Sequence, residues 1–231
     1  MRVLGIVPAR AGSKRLPGKN LQLLGGKTLV ARAIDTALGA STVSAVAVSS
    51  DDPRVLAIAR AASGAIALER PSELATDTSP AVDYVRHAFD VLEAEGAARF
   101  DAVAIVQPTS PFTSAADVNA TVRLLETTGA DSAASVMELD HAIHPFKLKR
   151  MDEEGRLLAY LQEEGGRMAA HEIPTLYVRN GSVYVTRRDV IEAGQIIGAD
   201  CRGYVMPRTR SVDINDELDL RFAEFLCVSS T

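Results

Sequence analysis

Cysteine is scarce in this 231-residue chain. Its two residues, Cys201 and Cys227, have no metal-ligand spacing and cannot build a disulfide framework, so they read as reduced, incidental thiols. Long hydrophobic runs are missing as well. No stretch approaches the length of a transmembrane helix, and the apolar run after Met1 and Arg2, residues 3–7, is too short for the core of a secretion signal. The expectation is a cytoplasmic protein with no membrane partner. Surplus positive charge is also absent. The net charge of −5 speaks against a nucleic acid or an anionic membrane surface as the main partner. There is no internal repeat and no low-complexity tract. What remains, 47% hydrophobic and 24% charged residues, is the composition of an ordinary globular protein with ample chain for one core.

Short apolar runs rich in β-formers alternate with longer stretches of helical spacing. Strands are expected over residues 3–7, 43–49, 65–68, 102–107 and 132–137, and helices over about 28–38, 53–63, 79–94 and 115–127. Asp52-Pro53 gives the second helix an N-cap and a proline in its first turn. This rhythm predicts an α/β fold, a doubly wound and mainly parallel sheet with helices on both faces. Ligands of such sheets gather beyond the carboxyl ends of the strands. The rhythm breaks after about residue 139. Charged, glycine-containing turns at 152–155 and 163–166 and strand-like pieces at 157–160 and 176–186 then suggest a small β-rich arm over about 140–200. The chain is read as one domain, 1–231, carrying that insertion and ending in a helix over 217–226.

The densest chemical signal follows the first strand: Pro8-Ala9-Arg10-Ala11-Gly12-Ser13-Lys14-Arg15-Leu16-Pro17-Gly18-Lys19-Asn20. Four cations share this loop with two glycines and a serine. Glycine lets backbone N–H groups approach an anion, and Arg and Lys give charge-assisted hydrogen bonds to phosphate oxygens. In a chain of acidic balance such a loop points to a bound polyphosphate. It has neither the Walker order nor Gly-x-Gly-x-x-Gly.

This loop resembles the signature of the acylneuraminate cytidylyltransferases, the CMP-sialic acid synthetases and their legionaminate and pseudaminate relatives. Further matches follow in the family's order: Ser49-Ser50-Asp51, Arg70-Pro71-Ser72-Glu73-Leu74, Gln107-Pro108-Thr109-Ser110-Pro111, Asn180-Gly181 with Tyr184, and Ser211-Val212-Asp213-Ile214. The resemblance implies a nucleotide-diphospho-sugar transferase-like fold, CTP and an acidic nine-carbon sugar as substrates, and a homodimer in which the arm crosses to the partner. It implies nucleotide binding by Arg10, Gly12, Ser13, Lys14, Lys19, Asn20, Arg70 and Ser79. Sugar contacts would fall to Gln107, Lys147, Asn180 and Tyr184, and catalysis to Lys19, Arg10 and Asp213. On sequence alone Arg70 reads equally as a surface ion pair and Gln107 as a loop anchor, while Ser79 by itself reads first as a helix cap.

Asp213 and Asn215 lie two apart on an extended segment and therefore face one ligand, which suits Mg²⁺ or Mn²⁺. The family carries Asp-x-Asp here, and Asn215 replaces the second aspartate. A competing reading makes Asn215 a turn residue that caps the terminal helix. His141 and His144 complete no metal spacing and read as loop-packing histidines. His171 and Glu172 stand where sialic acid enzymes present an arginine, and Ile196-Ile197 where they place aromatic residues, so the sugar pocket is expected to be remodelled. The implied reaction is attack of the sugar's anomeric hydroxyl on the α-phosphorus of CTP with release of pyrophosphate, carried by positioning and electrostatics. No residue presents itself as general base. Two other readings share the loop: a 3-deoxy-octulosonate or other sugar nucleotidyltransferase, and a nucleotide-binding module without catalysis.

Overall fold

Six uncharged residues, Val3–Pro8, form β1, and its side chains alternate between two cores as the pleat dictates. Val3 and Val7 enter one cluster and Leu4 and Ile6 the other, all fully buried. The computed structural model describes residues 1–161 and 173–229. After β1 and the basic loop, a small hairpin of β2 (Leu23–Leu24) and β3 (Lys27–Thr28) leads into α1 (Leu29–Leu38). The Thr28 side chain accepts from the Ala31 N–H and starts this helix, which buries Leu29, Val30, Ala33, Ile34 and Ala37.

The chain then winds through β4 (Ala45–Ser50), α2 (Pro53–Ala61), β5 (Ala65–Glu69), α3 (Ala81–Ala94) and β6 (Ala102–Val106). Asp52 caps α2 and Pro53 opens it, as expected. The third helix starts two residues later than predicted. Pro80 is its N-cap and, having no polar side-chain atom, gives no side-chain hydrogen bond, while Ser79 turns its hydroxyl to the preceding loop. Next come α4 (Ala115–Thr128), opened by a reciprocal Ser114–Asp117 capping box and closed by Gly129 at φ 70°, then β7 (Ser132–Glu138). The remainder holds β8 (Lys149–Met151), β9 (Leu157–Ala159), β10 (Tyr177–Arg187), α5 (Arg188–Glu192), β11 (Cys201–Val205) and α6 (Glu217–Ser229).

Seven strands make one sheet in the order β11-β7-β10-β6-β1-β4-β5. Every pairing is parallel except those of β10, which runs antiparallel between β6 and β7. Helices α1, α2 and α4 pack on one face and α3 and α5 on the other. The expected doubly wound, mainly parallel α/β architecture is therefore present. The arm is narrower than the sequence suggested, because Tyr177–Arg187 is an inner strand of the main sheet. Among the described residues of the arm, the β8–β9 hairpin, all six of whose paired residues are exposed, forms a sheet separate from the main one. The turn at 163–166 and the residues His171 and Glu172 lie outside the described residues.

Candidate functional site

Three parallel strands, β1, β4 and β6, end along one edge of the sheet, and the basic loop springs from the first of them. Its path is pinned at both ends. Ala9 N–H bonds Ser49 O at 3.0 Å, Ala11 N–H bonds Asp51 Oδ1 at 2.8 Å, and the buried Asn20 donates from Nδ2 to Arg10 O at 3.0 Å. Leu16 drops into a third apolar cluster with Leu24, Leu29, Ile214 and Ala223, which ties the loop to the base of α6. Gly18, at φ 63°, permits the turn that brings Lys19 and Asn20 back toward the strand ends. A Cβ on Gly12 would stand 3.4 Å from Arg10 Nη1, so glycine leaves that guanidinium its space.

Arg10, Ser13, Lys14, Arg15 and Lys19 converge on a cavity of about 280 Å³, with Asp77 and Asn215 completing its wall. Asp77 is a carboxylate among cations. Its Oδ1 pairs with Arg10 Nη2 at 2.7 Å and its Oδ2 with Lys14 Nζ. Hydrogen bonds from Lys14, then Arg10, hold its carboxyl below the usual range. Lys19 is half-buried and donates to Ile214 O at 3.0 Å. Burial pulls its pKa below that of an ordinary lysine, Asp213 works against that shift, and Arg15 and Arg10 reinforce it.

A second cavity, again about 280 Å³, shares Arg10, Ser13, Lys19 and Asp77 with the first and extends over Asn20, Arg70, Ser79, Tyr84 and Gln107. Arg70 is no surface ion pair. It is buried, donates from Nε and Nη2 to the hydroxyl and carbonyl of Ser49, each at 2.9 Å, and lies over the Tyr84 ring at 4.4 Å. Burial draws its pKa down, and burial pushes that of the Tyr84 hydroxyl up. Ser79 donates to Glu73 O at 2.9 Å and accepts from Thr76 N–H at 3.1 Å, which folds the 73–79 loop against the cavity. Through Ala81, Tyr84 and Gln107 this space joins a third cavity of about 600 Å³, bordered by Ile105, Val178, Arg179, Tyr184, Ile196 and Ile197.

Asp213 stands beside Gly181, whose φ of 77° few other residues adopt. A Cβ there would lie 3.6 Å from both Asp213 Cγ and Ser110 Oγ, and that buried hydroxyl has no hydrogen-bond partner among the described residues. Asn215 is turned inward. Its Nδ2 donates to Asp213 Oδ2 at 2.9 Å while its Oδ1 accepts from Arg15 Nη2 at 3.0 Å. It thus orients Asp213 instead of presenting a free oxygen. At the start of α6 the carboxylates of Asp216 and Asp219 each accept the other's backbone N–H, so the helix cap falls to them. One carboxylate and a neighbouring unpartnered hydroxyl fit a hydrated Mg²⁺ whose remaining ligands are phosphate oxygens and water. No cluster of three or more His, Cys, Asp or Glu suited to a metal occurs among the described residues.

Two residues expected at the sugar border none of the three cavities of this chain. Lys147 is bonded to the His141 ring. Asn180 is buried and fully engaged. It accepts from Ser135 Oγ at 2.7 Å and donates to Ser211 Oγ at 2.9 Å, fastening β10 to β7 and to the Asp213 segment. His144 is a packing residue that caps its own turn through Phe146 N–H. Sequence reasoning missed Asp77, Tyr84 and Arg179. Asp77 carried no signal beyond its place between two nucleotide-binding candidates, Arg70 and Ser79.

A cation-lined pocket at the carboxyl edge of a mostly parallel sheet, opening into a larger and mainly apolar space, defines a nucleotide-dependent transferase of the α/β class. Over residues 4–195 the sequence matches the cytidylyltransferase family, and the chain belongs to it. It is 33% identical over 230 residues to the CMP-N,N'-diacetyllegionaminic acid synthase of Legionella pneumophila, covering 98% of this chain and 96% of that protein. It is 28% identical to the N-acylneuraminate cytidylyltransferase of Escherichia coli over 96% of this chain and 51% of the relative. The solved structure of a CMP:2-keto-3-deoxy-manno-octonic acid synthetase complexed with CTP shares its fold, with a TM-score of 0.73, 20% identity and full coverage of both chains.

Proposed function

We propose that this chain transfers CMP from CTP to the anomeric hydroxyl of an acidic nonulosonate sugar and releases pyrophosphate. The observation that carries this reading is the junction of the cation-lined cavities with the larger one at Ala81, Tyr84 and Gln107. A nucleotide in the first can meet an acceptor in the second at one point. Arg10, Lys14 and Lys19 face the space for the phosphates and offset the charge that builds on the departing pyrophosphate. Ser13 and Asn20 shape that space, and Arg70, held by Ser49, stiffens its floor. Gln107 and Tyr184 border the acceptor. Asp213, oriented by Asn215, would hold Mg²⁺ or Mn²⁺, which supplies charge neutralisation on the phosphates. The exposed β8–β9 hairpin supports a homodimer as the working form. None of the described helices is long and apolar enough to cross a membrane.

Pyrophosphate release from CTP, assayed across a panel of nonulosonates and a 3-deoxy-octulosonate, tests the assignment. Turnover is expected with one or more nonulosonates and not with the eight-carbon acid. Lys19→Ala should lower turnover by about 10²- to 10³-fold with folding retained. Near-normal turnover in this variant removes Lys19 from the catalytic role.

A further inference from the structure

The 600 Å³ cavity has an uneven wall. Ile105, Val178, Ile196 and Ile197 make it largely apolar, and Arg179 is the one charged side chain among its described lining residues. Arg179 sits on β10, is exposed, and has no carboxylate or side-chain hydrogen-bond partner among the described residues. A strand would ordinarily send Arg179 and Tyr184 to opposite faces, since they are an odd number of residues apart. Here the pairing of β10 with β7 shifts register between these two residues, across Asn180 and the positive-φ Gly181. The irregularity turns both side chains toward one cavity. Their proximity also shows electrostatically: burial raises the pKa of the Tyr184 hydroxyl, and the Arg179 charge opposes that rise.

We propose that Arg179 is the anchor for the carboxylate of the acceptor sugar. The assignment rests on the function proposed above and deepens it. An unpaired guanidinium offers a planar fork that matches a carboxylate in a bidentate manner.

Steady-state kinetics at saturating CTP test this with two acceptors, the acid sugar and its carboxamide analogue, on the wild type, Arg179→Gln and Arg179→Lys. The wild type should favour the acid by about 10- to 100-fold in kcat/KM, the range of a hydrogen bond to a charged group. R179Q should lose that preference through a raised KM for the acid alone, and R179K should restore part of it. CTP affinity by calorimetry should stay within about twofold throughout. An undiminished preference in R179Q, or a loss of CTP affinity as large as that of the acid, overturns the role of Arg179. A wild type that binds CTP yet turns over no nonulosonate overturns the proposed function instead.

Discussion

Lys19 illustrates how a single position joins loop structure to chemistry. Its ammonium reaches Ile214 O, so the residue proposed to face the phosphates also tethers the basic loop to the Asp213 segment. Because burial lowers its pKa, Lys19 gives up its proton at a lower pH than an exposed lysine, whose value is about 10.4. Activity that needs its charge is present below the shifted value and lost as pH rises through it. The alkaline limb of kcat/KM should therefore begin below the ordinary lysine range. The limb of kcat should lie higher, since bound phosphates favour the charged form, and Lys19→Arg should move both out of range. Pyrophosphate-release assays across alkaline pH give both profiles. At this scale the sequence was informative wherever like residues cluster. Arg10, Lys14 and Lys19 stood out because cations rarely crowd behind a buried strand. Asp77 and Arg179 did not, because a lone carboxylate or guanidinium gains meaning only from what the fold brings beside it.

Helix α4 shows the same logic in an element. Asp117 closes the capping box with Ser114 and also receives Arg210 and the Tyr204 hydroxyl, the latter at 3.0 Å, so it links the helix to β11 and to the turn before Ser211. Burial pushes its carboxyl up, yet the hydrogen bonds from Arg210, Ser114 and Tyr204 outweigh this and leave it below the usual value. Its stabilisation is therefore complete above the unfolded carboxylate value of about 3.9 and lost as pH falls through the lower folded one. Asp117→Asn should cost about 2 kcal/mol at neutral pH, roughly 4–8 °C in Tm, and the difference from wild type should shrink in strong acid. Thermal melts at two pH values measure both. The elements themselves were largely legible, since helical and alternating periods differ plainly over ten residues. The position of β10 was not. Residues 176–186 read as a strand, but which neighbours a strand pairs with depends on contacts far away in sequence, and the turns before it suggested an appendage.

For the whole molecule, the distribution of exposed apolar surface bears on assembly. Met151, Leu157, Leu158 and Tyr160 on and beside the β8–β9 hairpin are each at least half exposed. Such a cluster is unusual on a monomer, and a stable dimer needs about 800 Å² per subunit. Sedimentation across a dilution series should give twice the chain mass at micromolar concentration. The double substitution Leu157→Asp and Leu158→Asp should give the single mass, and a wild type that sediments as one chain would sink the dimer. Overall charge has a different consequence, centred on Asp77. With its carboxylate already seated between Arg10 and Lys14, the resting pocket supplies its own counter-anion. Under the proposed function, nucleotide entry would be a substitution of one anion for another, and on departure of pyrophosphate the same carboxylate would be at hand to reclaim its place.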